Sequence, residues 1–369
     1  MEKYSYFKLK GIINNPLRIF FLCGSYFNHK DTSGDKRIIL KNFIESVNPN
    51  NKCLILEENF LFSDSENKLN YTEINLKSLK SIEMLTSLMS ERVIILHESL
   101  STAAEIGLFS SEKVLNEKVL ILVPDIFTSE EDLITGFMKL AYDNPHFTND
   151  NLEVIRYFPG QFIHETSVNL QKPHFYFANN ELGDNLKRQL KSLLPNKEKN
   201  LNIEYINRYN FNNQKISKFS IDKEYVSVTL NFDHLVMLLL SLFTVENIKS
   251  EIRTPPSNQN GSNIERRNRA IHKTVYILKE NLIGFLNRSI ISEFPGEKNK
   301  KIKIDFHYNG INLNQAISYF VYVLYATKML KITNIQKIVI TNEFSKISHS
   351  YSQLIITPKN DLLLEVFNS

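Results

Sequence analysis

The sequence predicts an α/β fold for the N-terminal part of the chain, with a doubly wound parallel sheet. Short, continuous apolar runs alternate there with segments whose apolar residues recur at helical spacing. Such runs are typical of parallel strands buried on both faces, and the alternation with helices is typical of doubly wound sheets. The predicted strands are Arg18–Cys23, Lys52–Leu56, Arg92–Leu96 and Lys118–Val123. The predicted helices are Lys36–Val47, Asn75–Met89 and Thr102–Phe109.

This alternation ends near residue 150, which we take as a domain boundary. Residues 1–150 are the predicted α/β domain, and residues 151–369 are a predicted α+β region that binds a partner or a nucleic acid. Its predicted elements are helices over Leu182–Leu194, Phe232–Val245 and Leu313–Met329, and strands over Lys337–Thr341 and Gln353–Ile356. A helix followed by a hairpin of two strands is compatible with a winged-helix module.

The two predicted regions differ in charge. Residues 1–150 have a net charge of −5, whereas residues 151–369 have a net charge of +9. Two basic clusters contribute to the second value: Glu265–Arg269 with Lys273, and Glu297–Lys301 with Lys303. Opposite charges predict different partners for the two regions, but charge alone does not decide between a surface that binds a polyanion and a solvated one.

Cysteine content and hydropathy exclude several classes of protein. Cys23 and Cys53 lie in predicted strands, as buried thiols do in a reducing cytoplasm. Neither CxxC nor HExxH occurs, so we expect no metal site. The apolar run Leu235–Val245 is much shorter than the roughly 20 residues of a membrane helix, and the N-terminal segment lacks the apolar core of a signal peptide. We therefore expect a cytoplasmic protein with no membrane partner.

The segment Val93–Phe109 has the pattern of a ligand site. A buried strand ends at His97, small hydroxylated residues follow, and a helix begins with Ser101 as the predicted N-cap. Glu105 then lies near the positive end of the helix dipole, which favours an ionised carboxylate by up to about 1 kcal/mol. Ligands bind beyond the carboxyl ends of parallel strands. The alternative is an ordinary capped helix in which Glu105 makes only a charge–dipole contact, with His97 as a structural histidine.

Four motifs in order give a resemblance to a known family. They are FLCG at Phe21–Gly24, the pair Asn28-His29, LEENFLF at Leu56–Phe62, and HESLSTAAEIGLFSSEKVLNEKVLIL at His97–Leu122. Together they resemble the nucleoside 2-deoxyribosyltransferase-like toxic effectors of retrons, which are bacterial anti-phage systems. The resemblance covers roughly residues 18–125. Leu100-Ser101-Thr102 stands where those effectors often have Pro-Gly-Ser, and the missing glycine bears on how closely a phosphate approaches the turn.

The resemblance implies a role for particular residues. Glu105 corresponds to the carboxylate that attacks or stabilises the anomeric carbon of a sugar. Gly24 and Ser25 replace the more usual pair of glycines. The residues implied to bind substrate are Gly24, Ser25, His29, Glu58, Glu83, Glu98, Ser99 and Ser101.

The implied activity is cleavage of an N-glycosidic bond. Nicotinamide in NAD⁺ is cationic and departs neutral, so that one carboxylate suffices, whereas a purine base usually needs a second acid. The sequence therefore favours NAD⁺, as substrate and not as cofactor, over a nucleoside or nucleotide. The resemblance also implies an oligomer whose partners are a reverse transcriptase and its RNA–DNA product. Two alternatives stay open: a nucleotide-sensing module without catalysis, and a DNA-binding regulator.

Overall fold

The structure is a computed structural model, and it describes the chain in two compact units. The described residues are 5–25, 34–59, 78–110, 113–124, 153–158, 164–166, 169–171, 176–178, 181–195, 197–206, 216–258, 260–297, 300–308, 310–333 and 337–357. One unit contains the described parts of 17–68 and 78–196, and we call it the parallel-sheet unit. The other contains the described parts of 1–16 and 197–369, and we call it the mixed-sheet unit.

The parallel-sheet unit contains a five-stranded sheet with helices between the strands. Its strands are β3 (Arg18–Cys23), β4 (Asn51–Leu54), β5 (Arg92–Leu96), β6 (Val119–Pro124) and β7 (Glu153–Tyr157). Its helices are α1 (Lys36–Val47), α2 (Leu56–Asn59), α3 (Leu79–Met89), α4 (Leu100–Ser110), α5 (Lys113–Asn116) and α6 (Asp184–Leu193). Two short antiparallel pairs complete it: β8 (His164–Thr166) with β9 (Asn169–Gln171), and β10 (Phe177–Ala178) with β11 (Glu181–Leu182).

All neighbouring strands of this sheet are parallel, which confirms the predicted parallel sheet. The order is β4-β3-β5-β6-β7, so the chain reverses direction across the sheet between β3 and β5. Alternation along β3 places Phe20 in the core cluster with Leu40 of α1 and Leu186 of α6, while Phe21 meets Phe109 of α4 edge-to-face. Helices therefore pack on both faces of the sheet.

The described strands of the mixed-sheet unit are β1 (Tyr6–Phe7), β2 (Lys10–Ile13), β12 (Lys199–Tyr205), β13 (Ser217–Ile221), β14 (Tyr225–Leu230), β15 (Lys301–Phe306), β16 (Leu330–Ile332), β17 (Ile338–Ile340) and β18 (Ile355–Ile356). Five of these strands form a second five-stranded sheet, in the order β15-β14-β13-β12-β2. Its helices are α7 (Phe232–Leu242), α8 (Glu246–Arg253), α9 (Asn263–Glu293), α10 (Leu313–Ala326) and α11 (Asn342–His349), with 3₁₀ turns at Pro295–Glu297 and Ser352–Leu354.

Non-local pairing gives these units boundaries that differ from the predicted boundary at residue 150. Strand β7 extends the parallel sheet beyond that position, and Leu186 and Leu190 of α6 belong to its core cluster. At the other end, β2 pairs antiparallel with β12, and β1 pairs with β18, so the first strands belong to the mixed-sheet unit. Pairing between segments almost two hundred residues or more apart leaves no local signal in the sequence.

The C-terminal strands pair differently from the predicted hairpin. Strand β17 lies within the predicted Lys337–Thr341 but pairs with β16, whereas β18 lies within the predicted Gln353–Ile356 and pairs with β1. The winged-helix module stays a prediction. Within the described ranges, no helix combines the length and the apolar character that crossing a bilayer would require.

Candidate functional site

The order of the strands reverses between β3 and β5. Doubly wound sheets bind ligands at such a switch point, in the crevice outside the carboxyl ends of the strands. Strand β3 ends at Cys23 and is followed by Gly24 and Ser25, both half-buried. A Cβ atom on Gly24 would lie 2.9 Å from Cδ of Arg37, so the glycine makes room for that side chain. The predicted pocket residue His29 lies outside the described residues.

Glu105 lies on α4, which follows β5 at this crevice. Oxygen Oε2 of Glu105 is buried and has no hydrogen-bond partner among the described residues. The carboxyl group therefore lies in a poorly solvated position and forms no ion pair with another described residue. A buried polar atom without a partner is uncommon in proteins and calls for an explanation.

The charge state of Glu105 differs from the predicted ionised form. Burial, followed by the charges of Glu83 and Glu57, raises the pKa of Glu105 to about 8, and the charge of Arg37 acts in the opposite direction. The predicted ionisation near neutral pH is therefore wrong for the ligand-free protein. Because Glu105 is the sixth residue of α4, it lies beyond the first turn, where the dipole acts most strongly, and desolvation dominates.

Two further carboxyl groups act on Glu105. Glu83 lies on α3, and its own pKa is raised by burial and then by Glu57. Glu57 lies on the one-turn helix α2. We call Glu57, Glu83 and Glu105 the acid cluster. In the part of the chain that the structure describes, no group of three or more His, Cys, Asp or Glu residues is arranged to hold a metal ion.

Glu57 rather than Glu58 belongs to this cluster. Glu58 forms an ion pair of 2.7 Å with Lys41, and its charge acts on the buried thiol of Cys53. The family resemblance assigned Glu58, and not Glu57, to the site. Neighbouring residues on a helix point about 100° apart, so a Glu-Glu pair does not by itself indicate which carboxylate faces a site.

Arg37 is the buried cation next to the acid cluster. Its side chain is only 2% exposed. Its Nε and NH2 groups donate to Asp35 at 3.1 and 2.9 Å, and its NH1 group donates to Glu57 at 2.8 Å. Asp35 also caps α1 by accepting a hydrogen bond from the backbone N–H of Arg37. These contacts fix Glu57 beside the crevice and neutralise part of its charge.

The thiol of Cys23 lies in the same electrostatic environment. Burial raises the pKa of Cys23 well above its usual value, and Glu105, Glu83 and Glu57 raise it further. The thiol is therefore protonated and unreactive. Cys23 and Cys53 are both buried and free, which confirms the prediction of buried thiols.

Glu98 lies in the turn before α4 and makes a separate polar contact set. Lys36 Nζ and Tyr157 OH both donate to Oε1 of Glu98, and Lys36 Nζ lies 3.4 Å from Tyr157 OH. The ammonium group of Lys36 also lies 5.3 Å from the ring centre of Tyr157. Burial and the charge of Glu98 raise the pKa of Tyr157. Glu98 is therefore bound to α1 and β7 by its own side chain.

The hydroxyl groups of the same turn bind one another. Helix α4 begins at Leu100, so Ser101 is not the N-cap, and Ser99 precedes the helix. Thr102 Oγ1 donates to the carbonyl of Ser99 at 2.6 Å and lies 2.9 Å from Nδ1 of His97. Since that hydroxyl proton is used, Nδ1 of His97 is the donor. His97 is buried and hydrogen-bonded, as expected of a structural histidine. The hydroxyl groups of Ser99 and Ser101 lie 2.8 Å apart.

The geometry thus brings Gly24, Glu83 and Glu105 to one region, together with Glu57, Arg37 and Cys23. Comparison with curated proteins finds no match. Comparison with family models finds one described as the STM3845 retron effector protein, which matches residues 33–283. This match covers more than half of the 369 residues and includes the whole acid cluster. The chain therefore belongs to the STM3845 retron effector protein family.

Proposed function

We propose that this retron effector cleaves the N-glycosidic bond of NAD⁺ or a nucleotide, and that the carboxyl group of Glu105 stabilises or captures the sugar cation. One observation supports this most directly: Oε2 of Glu105 is buried near the switch point of a parallel sheet and has no hydrogen-bond partner in the described part of the chain. A desolvated carboxyl group that accepts no hydrogen bond from the protein is a candidate for binding a ligand.

The acid cluster favours a cationic substrate. In the ligand-free protein Glu105 is mostly protonated at neutral pH, because its pKa is about 8. A positive charge that binds beside it lowers this pKa, so a cationic nicotinamide riboside group promotes ionisation of the carboxyl group that it needs. A neutral nucleoside lacks this effect. The cluster therefore supports NAD⁺ over a neutral nucleoside.

The proposed reaction needs no redox partner. The bond between the ribose anomeric carbon and the pyridinium nitrogen breaks, and its electron pair goes to that nitrogen, so nicotinamide departs neutral. The carboxylate of Glu105 stabilises the positive charge on the sugar or bonds to the carbon. Water then adds its oxygen to the carbon and gives up a proton to the solvent; where the carboxylate has bonded to the carbon, that bond breaks and the carboxylate of Glu105 is regenerated. Arg37 would hold Glu57, and Glu83 would tune the protonation of Glu105.

Membership of a retron effector family supports a role in retron-based defence. In that role the protein would be toxic when active. A reverse transcriptase and its RNA–DNA product would restrain it in a complex until phage infection releases it.

The test is a direct assay of base release. We expect purified full-length protein to release nicotinamide from NAD⁺, measured by chromatography, and Glu105→Gln to lower the rate by at least about a hundredfold. Glu58→Gln is the matched control, because it removes a carboxylate close in the fold that pairs with Lys41. For wild type, kcat/KM should increase with pH, reach half of its limiting value near pH 8 and level off above that pH.

Three outcomes would contradict the proposal. Equal activity of Glu105→Gln and Glu58→Gln would remove Glu105 from the mechanism. Tight binding of NAD⁺ or a nucleotide with no released base would indicate a sensor. A rate that falls as pH rises toward 8 would assign Glu105 as a general acid on a neutral substrate instead.

A further inference from the structure

The N-terminal half of α9 presents a row of cations on one face. Arg266, Arg269 and Lys273 are separated by three and four positions, so they lie on the same side of the helix. Tyr276 follows at the next interval and is 64% exposed. We call Arg266, Arg269 and Lys273 the basic stripe. Over this distance the helix rises about 15 Å, and Glu280 lies one turn further along the same face.

The hydrogen-bond partners of the basic stripe among the described residues are uncharged, and it forms no salt bridge with a described residue. Arg266 donates to the side-chain oxygen of Asn263, and Arg269 donates to the backbone carbonyl of Asn260. Lys273 Nζ donates to the carbonyl of Thr254 at 3.0 Å. These acceptors are uncharged, and each uses one donor of its partner. A guanidinium group has five N–H donors, so the described residues use only a small part of the hydrogen-bonding capacity of Arg266 and Arg269.

The position of the stripe costs stability in two ways. Arg266 is the fourth residue of α9, at the positive end of the helix dipole, so its charge is unfavourable there. The Nε atoms of Arg266 and Arg269 are also buried without an acceptor among the described residues, and an unsatisfied buried donor is costly. Glu265, one turn before Arg269, accepts the backbone N–H of Ser262 in the capping box. Proteins retain such local costs where the residues serve binding.

We propose that the basic stripe and Tyr276 bind the backbone of a single-stranded nucleic acid. Guanidinium groups bind phosphate oxygens in a bidentate manner, and the ammonium group of Lys273 adds a third cation in line. The exposed ring of Tyr276 offers a surface on which an unpaired base can stack. A base inside a duplex is already stacked between its neighbours and does not reach this ring. The inference does not depend on the proposed glycosidase activity.

The experiment measures the binding of a fluorescein-labelled 20-nucleotide DNA by anisotropy, as single strand and as duplex, between 50 and 200 mM salt. The variant Arg266→Gln/Arg269→Gln/Lys273→Gln should weaken binding of the single strand about tenfold or more. It should also lower the slope of log K against log salt by about 2, which is the change expected for three lost phosphate contacts. Tyr276→Ala should weaken single-strand binding about fivefold or more without changing the slope.

Matched controls separate the stripe from net charge and from folding. The variant Lys301→Gln/Lys331→Gln/Lys346→Gln removes three exposed cations of the same unit and should change the slope by less than about 1. Arg266→Lys/Arg269→Lys keeps the charge and should keep the slope. Glu105→Gln should bind like wild type. Thermal melts followed by circular dichroism establish that every variant is folded.

The proposal is overturned if wild type does not bind the single strand at 50 mM salt, or if the stripe variant loses no more affinity than the lysine control. Equal affinity for single strand and duplex, with no effect of Tyr276→Ala, would overturn the preference for a single strand.

Discussion

Arg37 in the parallel-sheet unit and Arg269 in the mixed-sheet unit both lie in the early turns of a helix, but their acceptors differ. Arg37 donates to two carboxylates, at distances between 2.8 and 3.1 Å, and is 2% exposed. Arg269 donates to a backbone carbonyl, and its buried Nε has no partner among the described residues. One arginine is part of the internal structure of its unit, whereas the other has donors that the described residues do not use.

The same contrast holds for the carboxyl groups. Glu57, Glu58 and Glu98 each have a cation within contact distance, whereas Glu105 has none among the described residues. Residue type and net charge do not distinguish these cases. The local acceptors and donors do, so the residues left without charged partners are the ones to which we assign binding or catalysis.

The largest expected effect is on the stability of an arginine variant. Arg37→Met should lower the free energy of unfolding by about 3–5 kcal/mol, because it leaves Asp35 and Glu57 without their buried cation. Arg269→Met should not lower it by more than about 0.5 kcal/mol. Chemical denaturation at pH 7 measures both. Similar losses for the two variants would break the distinction between a structural and a binding arginine.

A smaller effect is expected for the pH dependence of stability. The folded pKa of Glu105 is raised from 4.5 to about 8, so the folded state binds more protons than the unfolded state within that window. The stability contributed by this group is complete below pH 4.5 and is lost as pH rises through 8. Glu105→Gln should therefore be more stable than wild type at pH 8 by roughly 1–3 kcal/mol.

Denaturation at pH 5, 6.5 and 8 measures this difference between the two proteins, so the titration of other groups largely cancels. The difference should widen as pH rises. A variant that is inactive yet more stable would match a site that sacrifices stability for chemistry. If the difference is constant, or if the variant is less stable at pH 8, Glu105 is not desolvated in the folded protein.

The smallest expected effect concerns the contacts of Glu98. Tyr157→Phe removes the hydroxyl that donates to Glu98 and should destabilise the protein by about 1 kcal/mol. Because Glu98 precedes the helix of Glu105, we also expect kcat to fall about threefold with KM nearly unchanged. Nicotinamide release measures both parameters. An unchanged kcat would restrict this contact to stability.

The elements of the parallel sheet were largely predictable, because their residues are apolar in continuous runs. Strand β3 and strand β5 agree with the predicted bounds, and β4 and β6 overlap them. Strand β7 was missed because Glu153 and Arg156 interrupt its apolar character, which an edge strand tolerates. No local sequence pattern predicts the pairing of β2 with β12, since one strand precedes the parallel-sheet unit in the sequence and the other follows it.

The site was predictable in part for a related reason. The sequence indicated Glu105 and Glu83 through motifs, and their proximity follows from the order of strands and helices. It did not indicate Glu57 or Arg37, because a side chain's direction depends on helix phase and on partners distant in sequence. It also predicted the wrong protonation state for Glu105, since the helix dipole is a local property whereas desolvation is a tertiary one.

The sequence by itself determined the alternation of strands and helices, the buried thiols and the two basic clusters, because each depends on residues close together in the chain. Only the tertiary structure decided the unit boundaries, the partners of each charged group and the pKa of Glu105. These depend on which distant segments exclude water from a side chain and which donors they bring to it, and no local pattern specifies either.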